Sequence, residues 1–245
     1  MKAFRVHFLI MVLCCGQSVK AATDIVEWGG TDMVSAHNNL VLLDYIDHDD
    51  IRLWKGREEA LHAASGMYGI LQNKSGTEEA SDFVVARITD DINGDYLQIY
   101  GNNTAENTIT GLIFFKPDVP EGSTVSFDEE SSLKVEIKIL FYTFRFFRLA
   151  VLNDGVWYLS QTQVTGMTTF EIENAATEVW GVWDGVEDAE FLPEIQASFV
   201  VNGSELTNIQ AVGFYFSASA SDHANGARLG ISNFNASALV TSSAN

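Results

Sequence analysis

The chain has 245 residues, with 14 Lys and Arg against 33 Asp and Glu, giving a net charge of -19. That balance excludes binding driven by phosphate neutralisation, because nucleic acids and anionic membrane surfaces both select clustered Lys and Arg. A hydrophobic content of 47% with 19% charged residues likewise excludes a disordered chain.

The first element is a leader. Lys2 and Arg5 precede an apolar run over 8–15, and a polar stretch over 16–22 ends in Ala21-Ala22. This is the order of a secretory signal peptide, 1–22, cut after Ala21 or Ala22. The run is too short to cross a bilayer, which takes about 20 apolar residues. Cleavage removes Lys2, Arg5 and Lys20 and no acid, and both cysteines, Cys14 and Cys15, leave with the leader. The mature chain is then more acidic still, with no disulfide, thiol nucleophile or Cys-ligated metal. The expectation is a secreted protein, extracellular or periplasmic, with one domain over 23–245 and no membrane insertion after cleavage.

Ile25-Val26-Glu27-Trp28 reads as a first strand closed by Gly29-Gly30, and 39–46 as a second. Residues 49–65 allow a short helix. Leu53, Trp54 and Leu61 are apolar and Gly66 stands where a helix stops, although Gly56 inside it costs about 1 kcal/mol of helix propensity. From Phe83 onward strand follows strand. Segments 83–88 and 96–100 flank Asp90-Asp91-Ile92-Asn93-Gly94-Asp95, whose Asn-Gly pair favours a hairpin because both residues tolerate positive φ. Segment 109–115 ends at Lys116-Pro117. Residues 133–152 form one long run, with Leu133, Val135, Ile137 and Ile139 on one face and Lys134, Glu136 and Lys138 on the other. Asn153-Asp154-Gly155 turns the chain into 156–160. Segments 170–172, 178–183, 195–201, 211–217, 228–231 and 236–240 bring the total to about ten strands. The predicted fold is all-β: a single antiparallel β-sandwich, most simply a jelly roll, with the short helix near 49–65.

No Gly-x-Ser-x-Gly elbow, phosphate loop, dinucleotide Gly fingerprint or His-Glu-x-x-His is present. His37, His48, His62 and His223 are isolated in sequence. Asp91, Asn93 and Asp95 offer oxygen ligands at alternate positions, as calcium loops do. Tyr96 then stands where the sharp-turn Gly belongs and Asn102 where a closing Glu belongs, so a plain hairpin turn is the stronger reading. Calcium is the one cofactor for which the chain offers a ligand pattern. Paired carboxylates for glycoside hydrolysis cannot be singled out among 33 acids, so no catalytic residue is assigned and the reading leans away from an enzyme.

Aromatics are more informative. Trp157, Tyr158, Trp180 and Trp183 follow a strand carrying Arg145 and Arg148, and Asp184 stands beside Trp183. Flat rings stack on the C–H faces of sugars, while Arg and Asp bind hydroxyls or charged groups. The same residues also suit a sandwich core with each Arg at a strand edge, and that reading is favoured for any one of them.

Asn208-Ile209-Gln210-Ala211-Val212-Gly213-Phe214-Tyr215-Phe216, followed by Gly226-Ala227-Arg228-Leu229-Gly230-Ile231-Ser232-Asn233-Phe234, resembles the closing strands of galactose-binding-like jelly rolls, among them several families of carbohydrate-binding modules. The rhythm of 145–160 is similar to secreted bacterial proteins that often carry a C-terminal sorting tail, but the sequence stops at Ser242-Ser243-Ala244-Asn245 without one. The resemblance implies a jelly roll and glycan binding, and transfers no catalytic residue. The leading expectation is therefore a secreted, non-catalytic protein that binds a polysaccharide or glycoconjugate through aromatic residues. An extracellular matrix or envelope protein without a small ligand is the alternative, and a polysaccharide lyase or glycoside hydrolase on the same fold stands third.

Overall fold

The computed structural model describes residues 21–29, 44–48, 51–56, 65–72, 84–89, 96–101, 108–141, 143–165, 169–183, 199–219 and 227–242. Within them the chain forms strands and one 3-10 turn, Gly203–Glu205. The strands are β1 (Thr23–Gly29), β2 (Asp44–His48), β3 (Ile51–Gly56), β4 (Ser65–Gln72), β5 (Val84–Thr89), β6 (Tyr96–Gly101), β7 (Thr108–Phe115) and β8 (Ser123–Ser126). They continue as β9 (Ser132–Phe141), β10 (Thr143–Asn153), β11 (Val156–Ser160), β12 (Thr169–Ile172), β13 (Val179–Val182), β14 (Phe199–Asn202), β15 (Ile209–Ser219) and β16 (Ala227–Ser242).

Two antiparallel sheets divide these strands. One has seven strands, in the order β12-β9-β16-β6-β5, with β1 and β8 also paired to β16. The other has nine, in the order β14-β13-β11-β10-β15-β7-β4-β3-β2. Aromatic rings close the space between them. Phe115 of β7 stacks on Phe234 of β16 at 5.1 Å, and Phe214 of β15 meets the same ring at 5.7 Å. Phe147 of β10 meets Phe170 of β12 edge-on at 6.3 Å. Each of these pairs joins one sheet to the other, so the all-β antiparallel sandwich expected from the sequence is present. Among the described residues its core draws on alternate positions of the strands; Leu133, Val135 and Ile137 of β9 are buried, as their spacing predicts.

The structure corrects the sequence reading in three places. The run 133–152 is two strands that belong to different sheets, β9 in the seven-stranded and β10 in the nine-stranded one. Continuous apolar character carried the chain across without a turn residue to mark the change. The helix expected near 49–65 is overturned over Ile51–Gly56, which is strand β3, and β4 begins at Ser65. Pairing with β2 on one edge and β4 on the other satisfies the β3 backbone, whereas a short helix with an interior Gly has little to hold it. The two C-terminal segments 228–231 and 236–240 are one strand, β16, with a register shift between Ile231 and Asn233. There Asn233 donates to the Glu136 carboxylate at 2.7 Å.

Strands β5 and β6 pair with Thr89 opposite Tyr96, the antiparallel arrangement a hairpin requires. Asp91, Asn93 and Asp95, offered above as calcium ligands, lie outside the described residues, as do residues 1–20 of the 1–22 leader. Asn153-Asp154-Gly155 turns as expected. Asp154 and Gly155 have φ of 50° and 78°, and Asn153 pairs with Val156, the geometry of a two-residue primed turn.

Candidate functional site

Strand alternation gives the nine-stranded sheet a second face, away from the core. Phe147, Leu149 and Val151 of β10 face the core, so Arg148, Ala150 and Leu152 face outward. On β15 the same alternation turns Ala211, Gly213, Tyr215 and Ser217 outward, and on β7 Thr110, Leu112 and Phe114. Cross-strand register then sets Gly181, Leu159, Ala150, Gly213 and Phe114 in one row across this outer face. Trp157, Leu152 and Ala211 form the row on one side, and Arg148, Tyr215 and Leu112 the row on the other.

Trp183 crosses between those rows. Its backbone N–H donates to the Trp157 carbonyl at 2.9 Å, while its indole meets the Tyr215 ring edge-on at 5.2 Å. Gly213 and Ala150 lie between with little or no side chain, which leaves room for the ring. Trp183 is buried, and so are Tyr215, Leu112 and Ser217. Trp157 is only partly buried and packs edge-on against Phe114 at 5.4 Å.

The sequence candidates therefore separate. Trp157 lies on the outer face and is partly exposed. Trp180 does not: it is 0% exposed on the core face, stacked on Phe127 at 5.9 Å, with its indole N–H donating to the Ala175 carbonyl at 3.4 Å. Trp183 is likewise covered, at 5% exposure. Both are packing residues and not surface platforms: Trp180, on β13 between β11 and β14, fills the core, and Trp183, just past β13, is covered on the outer face against Tyr215. Tyr158, opposite Val151, packs partly against the core, on the face away from Trp157. Arg145 lies on β10 where the register shifts between Phe144 and Phe146, and its side chain falls outside the description, as does Asp184.

On the outer face the Arg148 guanidinium is taken up by oxygens of the protein. One terminal nitrogen donates to the carbonyls of Ser160 and, at 2.7 Å, Gln161; the other donates to the Gln163 amide oxygen at 2.7 Å. Burial lowers its pKa from the ordinary value, with the charges of Glu178 and Tyr215 acting against that. Among the described residues no group of three or more His, Cys, Asp or Glu gathers to hold a metal ion.

Sequence reasoning missed Phe114, Thr162, Gln163 and Glu178. Nothing in the sequence said which face of the sheet the core would cover.

Tyr215 supplies a pH signature. Burial raises its pKa above the ordinary 10.0, opposed by a hydrogen bond with Thr110 and by the charge of Arg148. The unfolded chain ionises this phenol near pH 10 while the folded chain keeps it neutral. Its contribution to stability is therefore complete below about pH 10 and is lost as pH rises beyond it. Urea midpoints measured across that range are expected to fall in the wild type and to fall less in Tyr215→Phe. Equal slopes in the two proteins would contradict the assignment.

No family model matches this sequence, and no curated protein does. Among solved structures, the family 11 carbohydrate-binding module of a cellulosomal cellulase of Clostridium thermocellum is similar at 12% identity and a TM-score of 0.37, over 83% of this chain and 98% of that one. A second structure of a family 11 module from the same organism, in complex with a β-1,3-1,4-mixed-linked tetrasaccharide, gives 12% identity and a TM-score of 0.38, over 86% of this chain and 95% of that one.

Proposed function

We propose that the protein is a secreted, non-catalytic glycan-binding β-sandwich whose sugar-stacking surface is Trp157, supported by Phe114, on the outer face of the nine-stranded sheet. Trp157 is the observation that carries this reading. The residue is partly exposed, its ring is braced edge-on by Phe114, and it is mounted one residue beyond the tight Asn153–Val156 turn. A flat ring held by rigid neighbours offers the C–H face of a sugar a partner with little ordering cost.

The polar groups at this end of the sheet include amides able to hydrogen-bond sugar hydroxyls. Asn208 donates its side-chain N–H to one Asp154 carboxylate oxygen at 2.5 Å, and Asn153 donates to the other at 3.2 Å. Gln210 accepts from the Gly155 N–H at 2.7 Å. Amides of this kind hold hydroxyls but neither give nor take a proton at neutral pH. Secretion rests on the leader, with its basic start and short apolar run.

Isothermal titration of the mature protein with soluble neutral polysaccharides, mixed-linked β-glucan among them, tests this reading. Trp157→Ala is expected to weaken binding about tenfold, equivalent to about 1.4 kcal/mol, with near-ultraviolet circular dichroism retained. Unchanged affinity in the variant, or no binding by the wild type, would overturn it.

A further inference from the structure

The turn between β10 and β11 is held more firmly than its own geometry requires. A two-residue primed turn closes through the pair that flanks it, here Asn153 and Val156. This one is also tied to the residues that enter β15. The Asp154 N–H donates to the Asn208 carbonyl at 3.3 Å, and the Asn208 N–H donates to Asn153 Oδ1 at 2.8 Å. The Asn208 side-chain amide donates to one Asp154 carboxylate oxygen at 2.5 Å and the Asn153 amide to the other at 3.2 Å. The Gly155 N–H donates to Gln210 Oε1 at 2.7 Å. Asn153 is buried, and both ends of its amide are used.

Register brings these partners into reach. Leu152 stands opposite Ala211 and Asn153 opposite Ile209, so Gln210 is an extra residue on β15, a bulge beside the turn.

Trp157 lies two residues past Gly155, at most about 7 Å along the chain. Phe114 stands on β7, three strand spacings from β11, or about 14 Å across β10 and β15. The two rings nevertheless meet at 5.4 Å, so they lean toward each other across those strands. That contact persists only while β11 keeps its place relative to β7. The β10–β11 ladder is one tie. The turn supplies a second that bypasses β10: it runs from Asp154 and Gly155 to Asn208 and Gln210, then along β15 to Gly213, which faces Phe114.

We infer that Asn208 and Gln210 are positioning residues of the site proposed above, holding Trp157 against Phe114 through the turn without touching the sugar. This inference rests on the glycan-binding reading and says what fixes the shape of that site. A ring already in place has less freedom to lose when a sugar docks on it.

The test titrates mixed-linked β-glucan into wild type, Trp157→Ala, Asn208→Asp, the exchange Asp154→Asn/Asn208→Asp, Gln210→Met and Gln210→Glu, with a urea midpoint for each. Asn208 and Gln210 are exposed, so all the variants at these two positions are expected to fold. Asn208→Asp sets two carboxylates face to face and is expected to weaken binding about fivefold. The exchange restores an amide opposite a carboxylate with donor and acceptor reversed, and Asn tolerates the φ of 50° at position 154. It is expected to return the affinity to within about twofold of wild type. Gln210→Glu keeps an oxygen for the Gly155 N–H but loses the NH2, and is expected to bind like wild type. Gln210→Met has no oxygen there and is expected to bind about fivefold more weakly, with faster hydrogen exchange at the Gly155 amide.

A loss in Asn208→Asp that the exchange does not repair, or equal losses in Gln210→Glu and Gln210→Met, would mean that the amides contact the sugar, and would overturn the positioning role. Wild-type affinity in both Asn208→Asp and Gln210→Met would mean that the site needs no second tie. In each of these cases a loss in Trp157→Ala leaves the glycan reading standing. If the wild type does not bind, the glycan reading fails and this inference with it.

Discussion

Replacing Trp180 by Ala is expected to destabilise the protein by about 3–5 kcal/mol, the range for removing a large aromatic from a packed core. Trp180 is fully enclosed between the sheets, stacked on Phe127, and its indole N–H donates to the Ala175 carbonyl. Truncation leaves a void that its neighbours fill only in part, and leaves that carbonyl without the indole donor. Since domains hold about 5–15 kcal/mol in total, the variant gives up about a fifth or more of its stability. Trp180→Phe keeps most of the ring and should lose less. Urea unfolding followed by circular dichroism measures both, with the slope of the transition expected to stay constant. The opposite pattern, full stability with weakened glycan binding, would return Trp180 to the surface role that sequence reading offered it. Trp157→Ala is expected to show that pattern, which makes the pair a direct comparison of a core tryptophan with an accessible one.

Gly213→Ala is the second large effect, about 3 kcal/mol, at the upper end of what overpacking costs. Gly213 sits mid-strand in β15, opposite Phe114 on β7 and Ala150 on β10. A Cβ there would stand 2.0 Å from the Ile113 carbonyl oxygen and 2.7 Å from the Phe114 Cα. Both are backbone atoms of a paired strand, so relief requires β15 and β7 to separate or twist. The methyl would also disturb Phe114 and the Trp183 ring on the outer face, so glycan affinity should fall together with stability. Gly155→Ala is the control. Its Cβ meets nothing within 4 Å, and only the left-handed backbone, φ of 78°, opposes the substitution, at about 1–2 kcal/mol. Equal losses at the two positions would mean that the close approach of β15 and β7 is not what demands a glycine.

These residues show what could be read in advance. The Asp154-Gly155 turn was legible because its chemistry is local: two residues tolerant of positive φ between two alternating runs. Strand β7 ends at Lys116-Pro117 as expected, since proline cannot donate to a ladder. The helix expectation near 49–65 failed where β3 forms, because composition weighs what a segment can do alone and β2 and β4 pair with it on both edges. The division of 133–152 between two sheets left no local mark, because no Gly, Pro, Asn or Asp separates β9 from β10, and what sets them apart is their partners, β16 and β15.

The candidate site divides along the same line. Alternation in the sequence determined that Trp157 and Tyr158 lie on opposite faces of one strand, and that the fold is built from antiparallel strands with a core of buried alternate residues. Only the tertiary structure decided which face the second sheet covers. That choice buried Trp180, left Trp157 partly exposed, set Trp183 against Tyr215, and turned Arg148 onto the carbonyls of Ser160 and Gln161 and the Gln163 amide. The physical reason is that a two-residue period fixes the relative orientation of neighbours within a strand, whereas exposure depends on partners far apart in sequence, and no local pattern encodes those.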